Sequence, residues 1–317
     1  MNNLTTVLLA VAKIALVVSI SGFLVRKRVV SREVIKPISA LVVTFFLPAL
    51  IFSNILGKLD IQTSPNWWYL PFTAIVMTAI ALLIALIGPS KVLKERREII
   101  PASFLQNAAF LILPLGQALL SRDDFDIFTL SVFLFIAAYN PCLWLFGKHF
   151  MRKRSNNEPF LWKNILSTPL IASLASLTLV LTGIRDIIPN LFIETAGFIG
   201  AGTVPVATFV LGATLGGLNI DFQKYWKDTL FVASKKLFVI PALMITAMHF
   251  IPWLHSSPLL LLFFILQAAS PPATTLAIQS QTYNDNSERI ASILFGTYLL
   301  CIITIPAWIL VAQSLFG

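Results

Sequence analysis

Apolar residues in this chain come in blocks of about twenty, not in alternation with polar ones. Ten runs cover residues 4–24, 37–57, 67–88, 99–119, 125–147, 165–184, 191–218, 237–254, 258–280 and 290–312. A run of about 20 residues has the length of a helix that crosses the hydrocarbon of a bilayer. Barrel strands would alternate apolar and polar residues over about ten positions, and Trp67 to Gly88 or Ile165 to Ile184 show no such alternation. In hydrocarbon each segment must satisfy its own backbone N–H and C=O groups, so these runs predict helices. The expected fold is an all-α polytopic membrane protein of ten transmembrane helices with short loops.

Composition agrees. Hydrophobic residues make up 57% of the chain and charged ones 12%, with a mean hydropathy of +0.85. A soluble domain carries roughly 25% charged residues, so too little polar surface is present to cover a water-facing globule. The net charge of +9 would point to nucleic acid in a soluble protein. Here the charges sit in short loops, which excludes that reading. Nineteen of the 23 Lys and Arg fall in the alternate loops 26–36, 89–98, 148–163, 219–236 and 281–289. The opposite loops hold Lys58, Arg122 and Arg185, and Lys13 lies inside a span. Basic residues mark the cytoplasmic side, so the expected location is the plasma (inner) membrane, multi-pass, with both termini outside.

Little in the chain suggests catalysis. Cys142 and Cys301 lie in apolar runs and read as small buried hydrophobes. His149, His249 and His255 are scattered near span ends. No metal-ligand cluster and no phosphate-binding G-x-x-x-x-G-K-[ST] segment occurs, so neither an enzyme nor a cofactor is expected. The first run follows no basic residue and is interrupted by Lys13, so it reads as a span and not as a secretory leader.

The proline pattern repeats. Pro48 and Pro114 are 66 residues apart, Pro205 and Pro271 are also 66 apart, and one shift of 157 superposes the pairs. That shift carries span two onto span seven and span four onto span nine. Two halves, 1–157 and 158–317, each hold five spans, an odd number, so they insert with opposite topology. Inverted repeats are a construction of secondary transporters.

Proline inside a helix removes a hydrogen bond and clashes with the preceding turn. In lipid the freed groups are tolerated where protein or a polar cavity surrounds them. Span four contains Gln106, Asn107 and Pro114. Span nine contains Pro271, Pro272, Thr274, Thr275 and Gln279. Both combine polar side chains with proline at depth, which predicts two discontinuous helices crossing near the bilayer centre and offering free backbone groups to a substrate. The competing reading is a pair of kinked packing helices, with Asn107 in an interhelical hydrogen bond.

Asn107 through Leu115 resembles the fourth-span motif of the auxin efflux carrier family, which runs roughly Asn-x-Gly-Phe-x-Gly-x-Pro-Leu. Ala109 and Ile112 stand where that motif has glycine. Ala269 to Tyr283 is similar to the family's Pro-Pro-Ala stretch, Phe46 to Phe52 to its second-span motif, and Val204 to Leu215 to its seventh-span segment. The ordered set covers nearly the whole chain. No long central loop is present, so a compact prokaryotic-type member is the closer likeness. The resemblance implies a scaffold of spans one, two, six and seven that often dimerises, a transport unit of the other six moving in an elevator-like manner, and organic-anion substrates.

Lys13 lies about 13.5 Å along the first span at about 1.5 Å per residue, near the midplane. Two roles are open to it: facing a wet cavity and attracting an anion, or snorkelling away from the hydrocarbon. The sequence thus points to a secondary carrier of a small organic anion, with Asn107, Gln106, Pro114, Pro271, Pro272, Thr274, Thr275, Gln279 and Lys13 as candidate substrate-site residues. Coupling to protons, sodium or the membrane potential is open. The alternatives are a sodium-coupled symporter of the bile-acid type and a membrane receptor that does not transport.

Overall fold

The computed structural model describes residues 4–62, 66–151, 167–283 and 287–317, and among them every regular element is helical. Among the described residues six helices are long and apolar enough to cross a membrane: α1 (Leu4–Arg26), α2 (Arg32–Lys58), α6 (Arg122–Met151), α8 (Asn190–Gly217), α9 (Phe222–Phe250) and α12 (Ser287–Phe316). Three shorter apolar helices accompany them: α3 (Tyr69–Ala85), α7 (Thr168–Leu181) and α10 (Pro258–Ala269). Among the short elements, α4 (Ile99–Phe104), α5 (Ile112–Leu119) and α11 (Thr275–Tyr283) are half-helices. Arg152, Lys153, Arg154 and Lys163 of the third expected basic loop lie outside the described residues.

The outer faces are apolar. Leu83, Phe198, Phe250 and Ile303, on four different helices, are 66%, 84%, 76% and 73% exposed, as a hydrocarbon solvent allows and water would not. Inside, Phe128, Phe135 and Phe263 pack edge to face where α6 meets α10. Trp68 is half exposed and Tyr69 packs edge to face on Trp253, in keeping with an aromatic anchor at a membrane interface.

Glycine sets one close helix contact. Helix α1 runs along the second part of α8, with Gly22 facing Gly212 and Gly216. A methyl group at Gly212 would overlap the Val18 backbone, and one at Gly216 would overlap the Gly22 backbone. Removing side chains lets two membrane helices approach backbone to backbone.

Proline sets the irregularities. A π-helical turn, Val42–Phe46, precedes Pro48 in α2, and another, Ser234–Val239, precedes Pro241 in α9. Pro241 cannot donate to the Leu237 carbonyl four residues earlier. The Trp308 indole Nε1–H donates to that carbonyl instead, at 2.8 Å.

Two expected loops are partly helical: α2 begins at Arg32, inside the expected loop 26–36, and the second case is larger. The span placed at 237–254 is the second half of a helix that begins at Phe222, so residues 222–236 of the expected loop 219–236 are helical. Asp221 caps the start by accepting from the Lys224 N–H at 3.0 Å. Tyr225, Asp228, Thr229 and Val232 form the buried stripe, spaced as one helical face. Of the charges that read as loop, Lys224 and Lys227 lie on the exposed face, Asp228 is in ion pairs, and Lys235 and Lys236 are buried. Asp228 pairs with Arg96 at 2.6 Å and with Arg289 Nε at 3.2 Å, and Arg289 also pairs with Glu98. This network, largely buried except at Arg96, ties the segment just before α4 to α9 and α12 at one end of the bundle.

Candidate functional site

Residues 99–119 and 258–283 do not run as continuous helices. The first segment unwinds between α4 and α5, the second between α10 and α11, and the two unwound stretches meet. Gln106 and Pro272 form an isolated antiparallel bridge. The Asn107 N–H donates to Pro271 O and the Ala273 N–H to Leu105 O, both at 2.9 Å. Two strand-like fragments thus pair at the point where each helix is interrupted.

Backbone accounting explains why the unwinding is stable. A buried carbonyl without a partner is costly, and the four carbonyls from Leu105 to Ala108 all have one. Leu105 O accepts from Ala273, Gln106 O from the Tyr139 hydroxyl at 2.7 Å, Asn107 O from the Ser270 hydroxyl at 2.9 Å and Ala108 O from Gln267 Nε2 at 3.1 Å. The Asn107 side chain is engaged as well. Its Nδ2 donates to Tyr298 Oη at 2.6 Å, and its Oδ1 accepts from the Leu111 N–H at 3.3 Å.

A cavity of about 100 Å³ lies beside the bridge. Its walls are Gln106, Asn107, Thr274 and Thr275 of the crossover, Tyr139 and Asn140 of α6, and, facing them, Val43 and Leu47 of α2 and Pro169 of α7. At roughly 30 Å³ per water it has room for a few waters or a small carboxylate. Gln106 Nε2 and Thr275 Oγ1, on two of the lining residues, are buried without a hydrogen-bond partner.

Four of the nine sequence candidates, Gln106, Asn107, Thr274 and Thr275, are brought together here. Pro271 and Pro272 form the bridge itself. Pro114 lies in the first turn of α5, where a helix N–H has no intrahelical acceptor, so the first break precedes it and centres on Gln106 and Asn107. Gln279 is buried against Gly147 of α6, away from the cavity, with both amide atoms unpartnered. Lys13 lies on the exposed face of α1, not at the crossover.

Sequence reasoning missed Tyr139, Tyr298, Ser270 and Gln267, whose roles depend on tertiary contact. It also missed Lys236, counted with the loop charges, which is 0% exposed and donates from Nζ to Ala268 O at 3.0 Å. The available signal was its place after the amphipathic stripe beginning at Tyr225. Among the described residues no group of three His, Cys, Asp or Glu could hold a metal ion.

Comparison with known proteins gives a consistent picture. A family model described as membrane transport protein matches residues 6–159 and 152–309. Protein PIN-LIKES 1 of Arabidopsis thaliana is 20% identical, with 94% of this chain and 77% of that protein covered. Protein PIN-LIKES 5 of the same plant is 28% identical over 36% of this chain and 30% of its own length.

Proposed function

The chain belongs to the membrane transport protein family of the auxin efflux carriers, and on that premise we propose that it is a secondary transporter moving a small organic anion across the plasma membrane. In this reading ten spans form two inverted five-helix repeats, 1–157 and 158–317, with both termini outside. The six spans that include the crossover move in an elevator-like manner against a scaffold of the other four, which pairs with a second copy.

The observation that carries the reading is the backbone pairing of two interrupted helices, Asn107 to Pro271 and Ala273 to Leu105, beside a cavity lined by the polar residues Gln106, Asn107, Thr274 and Thr275. Half-helix ends at mid-membrane give a carrier fixed partial charges without a buried carboxylate or arginine. The cavity walls come from the crossover on one side and from α2 and α7 on the other, so sliding between the two groups would expose the site to either face.

The test is counterflow of a panel of mono- and dicarboxylates in proteoliposomes, with sodium and pH varied. Accumulation of at least one carboxylate above its equilibrium level supports the reading. Saturable binding with no flux for any of them replaces it with a receptor.

A further inference from the structure

The π-helical turn of α9 does more than absorb Pro241. It aims three successive residues at three other helices. Lys235 Nζ donates to the carbonyls of Ala85, at 2.8 Å, and Ile87, at the end of α3. Lys236 Nζ donates to Ala268 O in the last turn of α10 at 3.0 Å. Leu237 O accepts from Trp308 of α12. A regular α-helix would spread three successive residues at fixed steps of about 100°. The wider turn is a device often found at functional sites.

Lys235 and Lys236 both close helix C-termini, but in different surroundings. Lys235 caps a complete helix near the bundle's end. Lys236 is the midpoint of Phe222–Phe250, is fully buried and caps a helix that stops inside the bundle. Its acceptor belongs to the four carbonyls that a helix leaves unpaired at its C-terminus. They are exposed here because Pro271 and Pro272 prevent continuation. Among the described residues no carboxylate forms an ion pair with Lys236. The carbonyl end of a broken helix is where cation-coupled carriers coordinate their ion.

We propose that Lys236 is a built-in cation: its ammonium, tethered through α9, occupies the cation position at the broken end of α10, so the crossover is held together without a bound sodium ion. The lysine offsets the negative end of the half-helix and travels with the crossover. Its consequence for flux rests on the transporter reading above, while its effect on stability does not.

The full-length protein in detergent, and its Lys236→Ser and Lys236→Arg variants, are melted in sodium chloride and in choline chloride of equal ionic strength. Wild type is expected to melt at the same temperature in both. Lys236→Ser is expected to melt several degrees lower in choline chloride and to recover in sodium chloride or with added methylammonium, which can reoccupy the vacated carbonyl end. A wild type stabilised by sodium over choline overturns the proposal, and so does a folded Lys236→Ser indifferent to every cation. If Lys236→Ser yields no folded protein, Lys236→Arg decides: indifference to sodium supports the tethered cation, and a sodium response refutes it. A sodium-rescued Lys236→Ser together with no carboxylate counterflow in wild type would remove the transporter reading and leave the built-in cation standing.

Discussion

Two regions of this bundle bring backbone against backbone, and they do it by opposite means. Along the α1–α8 seam, Gly22, Gly212 and Gly216 remove side chains, and both helices keep their internal hydrogen bonds. At the crossover, the chain gives up helical bonds between α4 and α5 and between α10 and α11. Tyr139, Ser270, Gln267 and a two-bond bridge replace them. Glycine contact is cheap in polar groups and rigid. Unwinding is costly in polar groups and places polar side chains around a cavity. A carrier needs the first where parts must not move relative to one another and the second where a substrate must be met.

The comparison breaks most readily at the seam. Gly216→Leu drives a branched side chain into the Gly22 backbone. Overpacking of this kind costs about 3 kcal/mol when the neighbour is backbone and cannot yield, a large share of the roughly 5–15 kcal/mol that holds a protein folded. The expected outcome is loss of monodisperse protein in size-exclusion chromatography from detergent. A Gly216→Leu protein eluting like wild type would show that the seam is looser than its geometry.

Next in size is Asn107→Ala at the crossover. It deprives the Leu111 N–H of its acceptor and leaves the Tyr298 hydroxyl without the Nδ2 donor. Leaving buried groups unpaired costs about 1–3 kcal/mol. Folded protein with a lowered melting temperature is expected, with carboxylate counterflow reduced about tenfold if about 1.4 kcal/mol of that loss falls on the transport step. Normal flux from a folded Asn107→Ala protein would reduce Asn107 to a packing residue. Tyr298→Phe removes the acceptor of the same bond and should cost less, about 1 kcal/mol. The two changes together should be less than additive, because they delete one interaction. Strict additivity in a double-mutant melting cycle would mean that the bond contributes nothing.

How much of this could be read from the chain follows from the range of each signal. The apolar runs and Pro271-Pro272 act locally, so both the helices and the second break are legible in residue order. The first break was anchored on Pro114, yet it lies at Gln106 and Asn107, because partners from α6, α10 and the facing strand fix it and these are distant in sequence. Phe222 to Lys236 reads as a loop because its charges outweigh its hydropathy, although Tyr225, Asp228, Thr229 and Val232 carry a helical period. Lys236 hides among those charges. Lys13 stands out because an apolar run surrounds it. A lone charge in a span is conspicuous in sequence, whereas burial is a property of the fold.

Those two lysines give the smallest predicted effect and the sharpest contrast. Lys13 shares α1 with Val18 and Gly22 of the seam but lies on its exposed face, whereas Lys236 is fully buried behind the crossover. A lysine at mid-span costs about 2.5–3.5 kcal/mol on insertion scales, and on an exposed face its stem can carry the amine toward water. Lys13→Met removes that cost and no hydrogen bond or ion pair described here. Expression should therefore equal or exceed that of wild type, with carboxylate counterflow unchanged in rate and apparent affinity. Should flux or affinity fall while the protein stays folded, Lys13 would have to reach the substrate path. The division between an inert seam and a chemically active crossover would then fail at a helix of the seam itself.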